Sequence, residues 1–263
     1  MRATIGFITG ILVLAGHPAL AATVDLNAWT AESYPAVSGF GAGVWTVAPD
    51  GSSVLQSVNG QPTIFYSDFM AHNTDAAGQI EVQTIGDDDY IGFVFGFQPG
   101  DTTNAAADYL LVDWKQTDQF FNFGAPSGDA GGMADEGLAV SRVTGVPSAD
   151  EFWQHATLSA GSGVTELQRG ATLSDTGWND NQLYTFRFVF TPTLFQVYVD
   201  DVLQLNLMGA FADGRMGFYN FSQATVNYSA FTVETVPEPA SAFLFLAGVF
   251  ALSAARRRRL AAH

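Results

Sequence analysis

Tyr90-Ile91-Gly92-Phe93-Val94-Phe95-Gly96-Phe97 decides the fold of this chain. Large and small residues alternate with a period of two, the period of a β-strand and not of a helix. Ile91, Phe93, Phe95 and Phe97 are predicted to face a core. Tyr90, Gly92, Val94 and Gly96 face the other way, where the glycines either admit a closely packed neighbour or lie beneath a ligand. The same period recurs in both directions. Tyr109–Lys115 puts Leu110, Val112 and Trp114 on one side, with Asp113 and Lys115 opposite. Tyr184, Phe186, Phe188 and Phe190 share a face, as do Phe195, Val197 and Val199. Asp200-Asp201 then reads as a two-residue turn before Val202–Leu205. Met216 and Phe218 alternate with Gly217, Tyr219 and Phe221, and Val226–Val233 closes the series. Many short alternating strands with Gly, Asp and Asn turns predict an all-β antiparallel jelly-roll β-sandwich, with most of the 22 phenylalanines inside it.

Residues 124–148 break the pattern. They are rich in Gly, Ala, Ser and Asp, and are expected to form long loops over one end of the sandwich.

The two ends of the chain read differently from its middle. Arg2, an apolar stretch from Ile5 to Gly16, Pro18 and then Ala19-Leu20-Ala21 have the parts of a secretory signal peptide, with cleavage expected after Ala21. At the other end, Pro237-Glu238-Pro239 precedes sixteen largely apolar residues, Ala240–Ala255, and then Arg256, Arg257, Arg258 and Arg259. Sixteen residues fall short of the roughly 17–25 of a spanning helix, and the arginines are expected on the cytoplasmic side. The expected organisation is a signal peptide over 1–21, one sandwich over 22–235 and a sorting segment over 236–263.

Charge narrows the function. Arg2 and the four tail arginines hold five of the ten basic residues, and Glu238 is the only acid outside 22–235. That leaves 5 basic against 25 acidic residues, a net charge of −20 for the central region. Nucleic acid is excluded as an expected partner, because phosphate needs a basic surface. Cations are favoured. The chain has no cysteine, so neither disulfides nor thiolate metal sites are available, and the four histidines lack zinc spacing.

Asp87, Asp88 and Asp89 stand together before the first core strand, just after Gly86. Adjacent carboxylates repel by about 1 kcal/mol per pair even in a water-like dielectric. A hard dication removes that cost, and calcium accepts six to eight oxygens in flexible geometry. Residues of a strand alternate faces, so two of the three are expected to share one ion, with Asp75 and Asp68 as further ligands. A retaining glycoside hydrolase needs two carboxyls about 5–5.5 Å apart; no acid pair at strand spacing supplies them, and no nucleophile elbow or phosphate loop is present. Trp153, Trp178, Tyr219 and Tyr34 are available as stacking surfaces for sugars, although single aromatics are more often core.

Two resemblances follow from these residues. The order of Pro-Glu-Pro, apolar run and arginine block is similar to the PEP-CTERM sorting signal of Gram-negative bacteria. It implies transient inner-membrane anchoring, removal of the tail by an exosortase-type enzyme, and release to the cell surface or exopolysaccharide matrix. The second rests on Ile80–Thr84, Asp87–Gln98, Trp114-Lys115-Gln116, Gly177–Asp180, Arg215–Tyr219 and Phe221-Ser222-Gln223. In that order they resemble the thrombospondin C-terminal domain. This implies a lectin-like jelly roll, an extracellular setting, calcium, and a role in adhesion or matrix assembly without catalysis. The family's cysteines are absent, and Asp108 and Asp113 replace the basic and apolar residues of animal members. The expected function is a calcium-binding adhesion or matrix module. The alternative is a carbohydrate-binding module for exopolysaccharide, with a glycoside hydrolase further behind.

Overall fold

The computed structural model describes residues 21–37, 39–124, 130–155 and 162–236. Ala19 and the whole tail from Pro237 through Arg259 lie outside the described residues. Two antiparallel sheets face each other. One runs, in order, β15 (Val202–Met208), β14 (Leu194–Val199), β13 (Leu183–Phe190), β6 (Thr74–Val82), β17 (Val226–Thr235), β4 (Ser53–Gln56) and β3 (Trp45–Val47), with β1 (Ala22–Thr23) also on β17. The other runs β12 (Val164–Arg169), β11 (Gly137–Thr144), β8 (Asp108–Lys115), β7 (Tyr90–Phe97), β16 (Arg215–Phe221), β5 (Thr63–Tyr66) and β2 (Thr30–Ser33). A hairpin of β9 (Gln119–Phe121) and β10 (Gly132–Ala134) and a short helix α1 (Ala149–Trp153) complete it.

The inner core forms where the predicted faces meet. Phe93 of β7 packs on Phe186 and Phe188 of β13 with ring centroids 4.9 and 4.7 Å apart. Leu110, Val112, Trp114, Met216 and Phe218 join them from the seven-stranded sheet. Fully burying each such side chain contributes about 1.5–3 kcal/mol. The Asp200-Asp201 turn is as expected: both residues have positive φ, 47° and 64°, as a type I′ hairpin turn requires.

Phe97 departs from its expected face. Gly96 has φ +84°, and the β7–β16 register shifts between Arg215 and Met216. This bulge adds one residue to β7, so Phe97 turns outward to join Tyr90 and Val94. The outward face is not open. Tyr34, Phe123, Phe152 and Trp153 pack onto Tyr90, Tyr109, Tyr219 and Phe221 as a second core, so both faces of β7 are buried. The glycine face thus receives a packed neighbour.

Within 124–148, the described residues 130–148 are also more regular than expected. They contain β11, whose eight residues all pair with β8 and of which Ala139–Val143 also pair with β12. Its alternation is hidden because Gly137, Ala139 and Ser141 hold positions that elsewhere carry large apolar residues, and its bulge toward β12 falls between Val140 and Ser141. The cover lies on the outer face of a sheet, not over one end of the sandwich. Helix α1 starts with a capping box: Ser148 Oγ accepts from the Glu151 N–H at 3.2 Å, and Glu151 Oε2 accepts from the Ser148 N–H at 2.7 Å.

Candidate functional site: an acidic cluster at the head of a core strand

Asp87, Asp88 and Asp89 lie where β7 begins and β8 ends. They lie outside the strand: the Gln116 N–H still donates to the Asp88 carbonyl at 3.2 Å, but side chains take both backbone groups of Asp89. The Asp89 N–H donates to Gln223 Oε1 at 2.8 Å, and the Trp178 indole donates to the Asp89 carbonyl at 3.1 Å. Freed from strand alternation, all three carboxylates place an oxygen within 4.8 Å of one another, where strand geometry would have allowed two.

One cation is already built in. The Lys115 side chain is fully buried on β8, and its Nζ donates to the Asp88 carbonyl at 2.6 Å, to Asp88 Oδ1 at 3.1 Å and to Gln119 Oε1 at 3.1 Å. It also lies 3.1 Å from Asp89 Oδ1 and over the Trp153 ring. Asn59 Nδ2 donates to Asp87 Oδ2 at 3.0 Å. The ammonium thus pairs with two of the three grouped carboxylates, and the fully ionised cluster keeps an excess of two negative charges.

Burial first, and that excess second, hold protons on the cluster. Burial pushes the Asp89 carboxyl up to about 7, against the pull of Lys115, and Asp87 adds to the rise. Burial also raises Asp87, with Asp88 contributing in the same direction. Beside the cluster is an open polar hollow lined by Ile85, Gly86, Asp87, Asp88, Gln116 and Gln119. Carboxylate and amide oxygens around an uncompensated negative site fit a hard dication such as calcium.

The other two residues singled out for metal binding are elsewhere. Asp75 sits near the far end of β6 in a bidentate pair with Arg187, at 2.9 and 2.5 Å. Asp68 is exposed and lines a separate hollow with Asp25, Ala28, Phe69 and Val233. Among the described residues, only Asp87–Asp89 bring three carboxylates close enough together that they could hold a metal ion. Sequence reasoning placed Lys115, Gln116, Gln119 and Asn59 in no site. Their signal was weak: a lysine inside an otherwise apolar strand, and polar residues brought in from other segments. Trp153, Trp178, Tyr219 and Tyr34 are all buried and offer no stacking surface.

Residues 41–236 match the thrombospondin C-terminal region. The chain belongs to the thrombospondin C-terminal family. This thrombospondin C-terminal domain is 27% identical over 206 residues to thrombospondin-3 of Mus musculus, covering 74% of the chain and 21% of that protein. It is 25% identical over 212 residues to cartilage oligomeric matrix protein of Homo sapiens, covering 74% and 26%. The chain thus spans 21–26% of the length of these relatives. Two solved structures share its fold. A carbohydrate-binding module from Bacillus subtilis aligns with TM-score 0.52 at 12% identity, covering 79% of this chain and 96% of that one. A Bacillus subtilis protein with a galectin-like fold aligns with TM-score 0.51 at 10% identity, covering 84% and 96%. Residues 235–259 match the PEP-CTERM protein-sorting motif, which implies an exported protein with a C-terminal sorting signal. Among the described residues, no helix is long and apolar enough to cross a membrane.

Proposed function

We propose that this domain is a non-catalytic, calcium-binding adhesion or matrix module, exported to the surface or exopolysaccharide matrix of a Gram-negative bacterium. The observation that carries the reading is the Asp87–Asp89 cluster, whose charge Lys115 only partly offsets and which opens on an oxygen-lined hollow. Asp87 and Asp88, which line the hollow beside Gln116 and Gln119, would hold the ion. A bound dication would supply the missing positive charge and tie the start of β7 to the end of β8. The family membership and the sorting motif support an extracellular setting, with an exosortase-type enzyme as the processing partner.

Binding of exopolysaccharide by the domain is the second reading, and the sandwich shared with a carbohydrate-binding module supports it. The buried aromatics mean that sugar contacts would have to come from polar rims and loops. A glycan array, run with calcium and with a chelator, tests both. Calcium-dependent thermal stabilisation without glycan binding supports the adhesion reading. Glycan binding that persists in chelator replaces it with the carbohydrate reading.

A further inference from the structure

Asp113 sits in the interior of β8 and faces the outer layer, in register with Gly92 of β7 and Ala139 of β11. A carboxylate inside an otherwise apolar sheet needs a partner, since burying an unpaired charge is very costly. Its partner is His155, two residues past α1. The imidazole Nε2 lies 2.8 Å from Asp113 Oδ2, and both side chains are 1% exposed. The other ring nitrogen, Nδ1, lies 3.7 Å from Glu166 Oε2 on β12. Arg169, also on β12, holds Glu166 from the far side at 3.2 Å. The Tyr90 ring of β7 packs at 5.6 Å from the imidazole, and Tyr219 of β16 lies across Gly92 from Asp113.

The place of the pair in the fold gives it leverage. Phe152 and Trp153, just before His155, insert their rings into the outer core beside Tyr34, Tyr90, Phe123 and Phe221. Helix α1 is only five residues long and cannot hold itself together alone. Its docking depends on those rings, on the Ser148 capping box and on the His155 contact to the sheet.

We propose that the Asp113–His155 pair is a proton-operated latch on the outer face of the seven-stranded sheet: the imidazolium clamps residues 149–155 onto the sheet, and loss of its proton loosens them and uncovers the aromatic layer beneath. Burial, the largest influence on His155, opposes the charge, but Asp113 and Glu166 together outweigh it and leave its pKa raised. The folded state therefore holds this proton more tightly than the released segment does. The latch is complete below about pH 6.5, the ordinary histidine value, and fades as pH rises through the raised folded value.

The test is hydrogen exchange of the full chain at fixed calcium between about pH 6 and pH 9, spanning the histidine range, with each amide's intrinsic rate divided out. The opening constant of Ala149–Trp153 is expected to rise with pH, about tenfold for each unit by which the folded His155 pKa exceeds its ordinary value. Phe186–Phe190 of the other sheet should show no such rise. His155→Gln, which keeps a hydrogen-bonding side chain but cannot titrate, should show a flat profile. A flat profile in the wild type, or the same rise in His155→Gln, would overturn the latch. Asp113→Asn should also flatten the profile; should that variant not fold, NMR titration of the His155 ring decides, and a value at or below the ordinary one refutes the proposal.

Discussion

The fully buried Lys115 ammonium donates to the Asp88 backbone carbonyl at 2.6 Å, which locks the end of β8 onto the turn that carries the acidic cluster. One lysine thereby pairs with Asp88 and Asp89 and holds the Asp88 backbone in place. Lys115→Met should leave Asp89 buried without its cation and destabilise the metal-free domain by about 3–5 kcal/mol, the usual cost of removing one partner of a buried pair. Urea unfolding in chelator measures this, and calcium should restore part of the loss. A change below 1 kcal/mol would mean that the lysine is not the cluster's principal counter-charge.

Calcium should stabilise the wild-type domain by RT ln(1 + [L]/Kd), about 2.7 kcal/mol at a hundredfold excess over Kd. Asp87→Ala and Asp88→Ala should each abolish most of that gain. Asp75→Ala breaks a partly exposed pair with Arg187, worth roughly 1 kcal/mol or less, and should leave the calcium response intact. Thermal melts with and without chelator decide the assignment. An Asp87→Ala variant with an undiminished response would remove the ion from this site.

Asp89 is held at about 7 by burial, and Asp87 is raised in the same sense. A carboxyl whose folded pKa is raised favours the folded state while it is protonated. In metal-free protein, its contribution should be complete below about pH 4, the ordinary carboxyl value, and lost as pH rises through the folded value. Other acids titrate in this range, so the informative quantity is the stability difference between wild type and Asp89→Asn. That difference should move against the wild type as pH rises from about 4 to 7. A difference independent of pH would show that Asp89 is not raised.

Phe93 touches the rings of Phe186, Phe188, Phe218, Tyr228 and Phe231. Phe93→Ala should cost about 3–5 kcal/mol, the range for an aromatic deleted from a packed core. Phe120→Ala, at a side chain 60% exposed on the β9–β10 hairpin, should cost far less. Similar losses for the two, measured by urea unfolding, would contradict the placement of the inner core.

If the tail is a sorting signal, the protein outside the cell should end near Pro239 and lack Ala240–His263. Replacing Pro237-Glu238-Pro239 by three alanines should leave uncut protein in the inner membrane. Mass spectrometry of the extracellular fraction checks this. Peptides from Phe243–Ala255 in that fraction would show that the segment is retained.

Alternation alone determined the all-β sandwich, because side chains on a strand must point to opposite faces and Phe93, Val112, Phe186 and Phe218 declare which face is dry. It also exposed the acidic cluster, since three consecutive carboxylates are visible in any linear reading. What it could not decide were matters of contact between distant segments. Phe97 turned outward because of a bulge at Gly96, which is visible only once β7 is paired with β16. Residues 137–144 became a strand because β8 and β12 supply hydrogen bonds on both sides, which outweighs a weak local pattern. Asp75 lies away from the acidic cluster, paired with Arg187, 112 residues along the chain. Lys115 and the Asp113–His155 pair came into view only in three dimensions, because a buried charge is tolerable only beside a partner and the partner's identity is a property of packing.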